Sequence, residues 1–226
     1  MLFISIDTSG KMGGISLASG DRDSFRVIES SAIAGGTFSA QLVPTLAALL
    51  KKYGYQAADL EGFVAISGPG SFTGLRVGLS AIKALAEVLK KPIAAVSLLQ
   101  ALATLSYQQG RVATALDAGR NEVYFGLYDF IAGRATMIEE QLLTQPEFLS
   151  RISAAGVLRL ITSDHSIAGL ASSGGAQVQE AARPGSEVVA HIGLQKLLAG
   201  DTVSVEALDA NYIRRSDAEI FSKAAV

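Results

Sequence analysis

Hydrophobic and polar positions in the first half of the chain follow two alternating periods. Residues 2–6 (LFISI) are a short run of β-forming residues that stops at Asp7-Thr8-Ser9-Gly10. A second run, Ile15 to Ala18, follows glycines 13 and 14, and a third spans Phe25 to Ser31, with Asp21 and Asp23 in the turn between them. The pattern predicts three antiparallel strands joined by tight turns. From Phe38 to Tyr53 the period lengthens, with apolar residues at 38, 42, 43, 46, 49, 50 and 53. That is helical spacing with a wide apolar arc, in which Pro44 requires either a start only a few residues earlier or a kink. Residues 62–67 (GFVAIS) then read as a buried strand, Gly68-Pro69-Gly70-Ser71 as a loop, about 72–90 as a long helix and Ile93 to Val96 as another buried strand. A second helix is predicted over 98–107. Strand, glycine turn, helix, strand is the pattern of a parallel βαβ unit.

The second half begins as the first did. Residues 112–117 (VATALD) read as a strand ending in Asp117, and Val123 to Tyr128 as its partner across Gly119-Arg120-Asn121. In IDTSGKMGGISL (6–17) and LDAGRNEVYFGL (116–127) an aspartate follows an apolar run, and a leucine on the returning strand lies ten residues after it. A helix over 146–153, a strand over 157–162, a Ser/Gly-rich loop at 172–175, a helix over 187–199 and a polar tail complete the chain. Gln108-Gln109-Gly110 breaks the periodicity, so the expected subdomains are 1–108 and 109–226. Two halves that each open on a strand–turn–strand carrying an aspartate suggest an α/β, actin-like duplicated fold, each subdomain having a mixed sheet and helices. Fold analogy alone does not establish an activity.

Composition narrows the chemistry. Of 226 residues 49% are apolar and 18% charged, ample for a buried core and unlike a disordered chain. Nineteen basic against 21 acidic residues give a net charge of −2, which argues against a stand-alone nucleic-acid binder. No cysteine is present, which excludes disulfides, thiolate metal sites and thiol nucleophiles. The start, MLFISIDTSG, lacks a basic region and a cleavage site, so no signal peptide is expected. Arg76, Lys83 and Glu87 make the 72–90 helix too polar for a bilayer, and the chain is expected to be cytoplasmic, without membrane contact.

SGPGSFTGLRVG (67–78) carries the strongest local signal. Gly68 and Gly70 permit a tight turn and Ser71 can cap the helix, so the segment is either a well-capped βα turn or an anion cradle made of helix-start amides. It lacks the Gly-Lys-Ser/Thr of a Walker loop. Asp7, Thr8 and Ser9, with Gly68, Gly70 and Ser71, are the candidate nucleotide or anion contacts, and Asp117 is the second-half counterpart of Asp7. On the 72–90 helix, Gly74, Gly78 and Ala81 follow small-residue spacing that admits a close neighbour, and Thr73, Arg76, Ser80, Lys83 and Glu87 form one narrow polar stripe. Both wide-arc helices are either buried within a domain or present an apolar patch to another protein. His165 and His191 have no second ligand at metal spacing and read as ordinary surface or core residues.

At GPGSFTGLRVG the chain resembles the TsaB (YeaZ) family, the dimerisation subunits of the bacterial machinery that makes threonylcarbamoyladenosine in tRNA. IDTS (6–9), SAQLVP (39–44), KPIAAVSLLQALA (91–103), LDAGRNEVYFGLY (116–128) and NYIRRSDAEI (211–220) extend the likeness over both halves. The family's usual histidine ahead of its Ser-x-x-Leu-Leu-Pro pattern is Phe38 here. The resemblance implies an actin-like fold of two subdomains and a pseudo-enzyme role beside TsaD, the catalytic paralogue, with the ATPase TsaE as third member. TsaD transfers the threonylcarbamoyl group to N6 of a tRNA adenosine with a metal held partly by a His-x-x-x-His pair. Leu98 and Leu102 stand where that pair would fall, and leucine cannot ligate a metal.

In the family, the helices matching 38–53 and 73–90 form the partner surface and also support self-association. Leu42, Leu46, Leu49, Gly74, Gly78, Ala81 and Leu85 are therefore the expected interface residues. No metal or cofactor is expected, ATP or ADP is expected only at the complex interface, and tRNA is reached indirectly through the complex. Arg214 and Arg215 are candidate phosphate contacts or a solvated pair. The alternative reading is an actin-fold kinase or ATPase acting alone through Asp7, the 68–71 loop and Asp117. A peptidase lacks zinc ligands, a thiol or a serine elbow.

Overall fold

The computed structural model describes residues 1–106, 108–154 and 159–211. Two five-stranded mixed sheets form in succession. The first contains β1 (Leu2–Asp7), β2 (Met12–Gly20), β3 (Phe25–Ala34), β4 (Gly62–Gly68) and β5 (Ile93–Ser97) in the order β3-β2-β1-β4-β5. The second contains β6 (Gly110–Gly119), β7 (Glu122–Ile131), β8 (Arg134–Thr144), β9 (Arg159–Thr162) and β10 (Gln177–Glu180) in the order β8-β7-β6-β9-β10. Position for position these are the same arrangement: an antiparallel meander whose first strand also pairs in parallel with the fourth. The duplicated actin-like α/β fold expected from the two aspartate-bearing hairpins is what the chain adopts.

Helices occupy equivalent positions. In the first half α1 (Phe38–Lys52) joins β3 to β4 and α2 (Phe72–Leu89) joins β4 to β5. After β5 comes the short α3 (Leu98–Ala103). In the second half α4 (Gln145–Ala154) joins β8 to β9, and α5 (His165–Ser173) joins β9 to β10. Pro44 lies inside α1 on its exposed side, so the helix forgoes one i→i−4 bond there without burying the unpaired carbonyl's position. The helix predicted over 98–107 stops at Ala103. Of the strand predicted over 157–162, residues 157 and 158 lie outside the described residues. So do Tyr107, Arg214 and Arg215.

The expected division at 108/109 differs from the one observed. Met1–Ala101 and Pro184–Ala210 form one compact unit, and Leu102–Arg183 lie in the other. The cause is α6 (Ser186–Ala199), which packs on β1, β2, β4 and β5 of the first sheet. Val189, Ala190, Ile192, Leu194 and Leu197 are buried there, and so covering the first sheet's second face draws the C-terminal helix back. At its start Ser186 hydrogen-bonds Ser16 of β2 at 2.7 Å, which pairs two buried hydroxyls, and Ser16 in turn bonds Ser30 of β3 at 2.7 Å. The second unit has its own core, in which Ala113, Phe125, Leu127, Phe148, Ile152 and Ile167 close one face of its sheet under α4 and α5.

Candidate functional site

Asp7 ends β1, and its carboxylate turns back onto the chain. One oxygen accepts the Ser9 amide at 2.8 Å and also the Ser9 hydroxyl. Asp7, Thr8 and Ser9 are all buried. The second half repeats the device, since Asp117 Oδ1 accepts the Gly119 amide at 2.8 Å. There the turn is exposed, and the Asp117 amide donates to Asp164 Oδ2 at 2.7 Å. The two aspartates paired by sequence comparison are thus the same structural element, an aspartate closing its own turn.

The segment 68–71 wraps this first turn. The Ser71 amide donates to the Ser9 carbonyl at 2.8 Å, and Ser71 Oγ caps α2 by accepting the Gly74 amide at 3.3 Å. The glycines allow the approach: a Cβ on Gly70 would stand 2.4 Å from the Ser9 carbonyl oxygen, on Gly74 2.0 Å from that of Thr8, and on Gly78 2.3 Å from Thr8 Oγ1. The amides of Ser71 and Gly74 are therefore engaged by protein groups. Of the two readings left open for 68–71, these bonds are those of a capped βα turn.

Burial corrects the expected interface residues one by one. Leu42, Leu46 and Leu49 are 2%, 5% and 3% exposed and belong to the core under α1. Gly74 and Gly78 are buried against Thr8, and Ala81 and Leu85 are half-buried on the flank of α2. The wide apolar arc of each helix splits into an inner stripe and an outer one. On α1, Phe38, Leu42, Leu46, Leu49 and Leu50 go inward, while Ala40, Val43, Pro44 and Ala47 face out. On α2, Leu75, Leu79, Ile82 and Ala86 go inward, while Phe72, Ala84 and Val88 are exposed among Thr73, Arg76, Ser80 and Glu87; Lys83 is half-buried. Val43 is 58% exposed and Val88 79%. The Arg76 guanidinium lies 3.7 Å above the Phe72 ring. α1 and α2 touch one another, so these residues share one side of the first unit. Sequence reasoning placed the interface candidates on these two helices and did not include Val43, Ala84 or Val88, which the structure leaves exposed.

The equivalent helices of the second half differ. The exposed positions of α4 include Glu147, Ser150 and Ser153, and those of α5 include His165, Ser166, Ser172 and Ser173. At the foot of α1, the Lys52 ammonium and then the Tyr53 hydroxyl, 2.7 Å away, bind Glu29 and hold its carboxyl below its ordinary range. The same contact with Glu29 raises Lys52 and Tyr53.

His165 Nδ1 lies 3.2 Å from Glu180 Oε2 on the surface, and the His191 ring stacks on Phe25 at 4.8 Å. Among the described residues no three His, Asp or Glu side chains are grouped to hold a metal. Leu98 and Leu102 are both fully buried. No helix among the described residues is long and apolar enough to cross a membrane.

A family model described as "TsaD: tRNA N6-adenosine threonylcarbamoyltransferase" matches residues 31–214. The "tRNA threonylcarbamoyladenosine biosynthesis protein TsaB" of Bacillus subtilis (strain 168) is 35% identical over 134 residues, which are 59% of this chain and 57% of that protein. The protein of the same description from Escherichia coli (strain K12) is 27% identical over 186 residues, 78% of this chain and 80% of its own length. The match thus spans little more than half of the Bacillus relative. Among solved structures, "YeaZ from Pseudomonas aeruginosa" superposes with a TM-score of 0.76 at 23% identity, covering 93% of this chain and 99% of that one, a likeness of fold.

Proposed function

This chain belongs to the TsaD family, on its TsaB/YeaZ side, and from that premise we propose that it serves threonylcarbamoyladenosine formation in tRNA as a non-catalytic subunit, binding TsaD through the outward face of α1 and α2. The observation that carries the reading is the asymmetry between the halves. One architecture is built twice, yet only the first copy's connecting helices expose a valine at 58% and another at 79% together with Phe72 and several alanines. The second copy's corresponding helices expose mostly Ser, Glu and His side chains, with Pro146 and Ala154 as the small apolar exceptions. Neighbouring exposed apolar residues on two touching helices suit a helical partner surface, and alanines let that partner approach closely.

The absence of catalysis in this reading is supported by Leu98 and Leu102, buried aliphatic residues at the positions that the resemblance assigns to metal-binding histidines. TsaE joins the assembly as its ATPase, ATP or ADP enters only at the assembled interface, and tRNA is held through TsaD. Without TsaD the same face supports self-association, and the setting is the cytoplasm. The test is light scattering on a sizing column with the chain and TsaD from one organism, with and without TsaE and nucleotide. A heteromeric peak that loses one component in the folded Val88→Glu variant supports the reading. Wild-type assembly by that variant, or no assembly by the unaltered chain, refutes it.

A further inference from the structure

The outward face of α2 has an inward counterpart that is the turn following Asp7. Gly70 of the loop and the buried Gly74 and Gly78 of the helix each abut the Thr8–Ser9 segment rather than a side chain of the sheet. Gly70 meets the Ser9 carbonyl, Gly74 the Thr8 carbonyl and Gly78 the Thr8 hydroxyl. Thr8 is 3% exposed, and its turn is fixed at both ends by hydrogen bonds, Ser9 to Asp7 at 2.8 Å and Ser71 to Ser9 at 2.8 Å. At Gly74 the helix lies against the Thr8 carbonyl and at Gly78 against the short, buried Thr8 side chain, so no long flexible side chain separates helix and turn. Close-packed contacts of this kind transmit displacement rather than absorb it.

We propose that Thr8 is a positioning residue for the partner surface: the Asp7–Ser9 turn seats α2 through Gly74 and Gly78, so that displacing the turn displaces the outward Ala84–Val88 face and changes its fit to a partner. The proposal rests on the reading of that face as the TsaD-binding surface, and it ties a buried turn to a surface that it does not touch. Gly78 reaches no partner in this account. Its effect on association passes through Thr8.

A pair of space-changing substitutions tests the coupling. Gly78→Ala places a methyl 2.3 Å from Thr8 Oγ1, so the seat must shift; Thr8→Ala removes the hydroxyl and methyl of Thr8 and empties that space; the double variant adds a methyl on the helix side where the turn side has been cleared. The expected results are a TsaD affinity about tenfold weaker in Gly78→Ala, the scale of coupling between touching residues, and recovery of most of that loss when Thr8→Ala is added. Since the chain has no cysteine, spin labels on Val43→Cys and Ala84→Cys report the spacing of the two outward faces directly. That spacing should change with Gly78→Ala and return in the double variant. Wild-type affinity in Gly78→Ala, an unrecovered loss in the double variant, or a label distance that does not move overturns the proposal. If Gly78→Ala does not fold, the double variant must bind more tightly than Thr8→Ala alone, and equal or weaker binding overturns it. Failure of the unaltered chain to bind TsaD refutes the function instead, and the label distances still decide whether Thr8 seats the helix.

Discussion

Leu46 and Val43 lie on the same helix, three residues apart, and the structure assigns them opposite roles. Leu46 is 5% exposed and packed inward; Val43 is 58% exposed. Truncating Leu46 to Ala removes side-chain burial worth about 1.5–3 kcal/mol, and a cavity that only partly collapses raises the total to about 2–5 kcal/mol. For a chain of this size each kcal/mol corresponds to about 2–4 °C, so the midpoint should fall by roughly 5–15 °C in a circular-dichroism melt. Val43→Glu changes a surface position and should alter stability by no more than about 0.5 kcal/mol. It places a charge in the proposed contact, however, and TsaD affinity measured by titration calorimetry should drop by about tenfold or more. Leu46→Ala, assayed below its midpoint, should retain affinity within about threefold, because its side chain faces the sheet. An unchanged melt for Leu46→Ala with a lowered one for Val43→Glu would mean that α1 is turned the other way. Wild-type affinity in Val43→Glu would refute the assignment of its face to the partner.

Glu29→Gln tests the contact at the foot of α1. The folded carboxyl is depressed by Lys52 and Tyr53, so its stabilising contribution is complete above the ordinary value of 4.5 and is lost as pH falls through the lower folded value. The wild-type advantage in melting temperature should therefore be present at neutral pH and vanish in acid; an offset that persists at the acid end refutes the linkage. Phe148, fully buried and edge-on to Phe125 at 6.1 Å, anchors the second unit's core. Phe148→Ala should cost about 3–5 kcal/mol in chemical denaturation while TsaD affinity at low temperature stays within about threefold. Ser186→Ala deletes one buried hydroxyl contact and leaves Ser16 bonded to Ser30, so a loss of about 1 kcal/mol in a urea titration is expected, and a loss several times larger refutes that account.

Where one period ran cleanly, the sequence was readable. β1, β4 and β5 are short, mostly apolar runs because they lie within a sheet covered on both faces, and α1 and α2 repeat their apolar residues every three or four positions. The aspartate correspondence was readable too, because an aspartate that closes its own turn must stand at a fixed place after its strand. β8 was not. It is an edge strand whose middle reads Ile138-Glu139-Glu140-Gln141 with no residue fully buried there, so hydrophobic alternation was absent. β10 is a four-residue edge strand, and α5 is nine residues made partly of serine and glycine, compositions that also describe loops. The return of α6 to the first sheet leaves no local mark, since a helix apolar on several sides does not name the sheet that it covers.

The same limit explains why residues that the structure buries under α1 and α2 carried the expectation of an interface. Small-residue spacing at Gly74 and Gly78 correctly signals that something approaches closely, and a wide apolar arc signals more apolar surface than the first sheet covers. Neither says what approaches from which side. A partner helix and the chain's own turn require the same absence of a side chain, and only the position of Thr8 separates them: the glycines are filled from within, Gly74 by the Thr8 carbonyl 2.0 Å from where a side chain would begin and Gly78 by the Thr8 hydroxyl at 2.3 Å. Once the inner stripe is assigned to the fold, the surplus has to be explained by what remains, and what remains is Val43 on α1 with Ala84 and Val88 on α2. At their exposed positions α4 and α5 carry mostly polar residues, Glu147, Ser150, Ser153 and Ser172 among them, with Pro146 and Ala154 as exceptions. The excess is thus defined by subtraction, and the duplicated half supplies the reference against which to subtract.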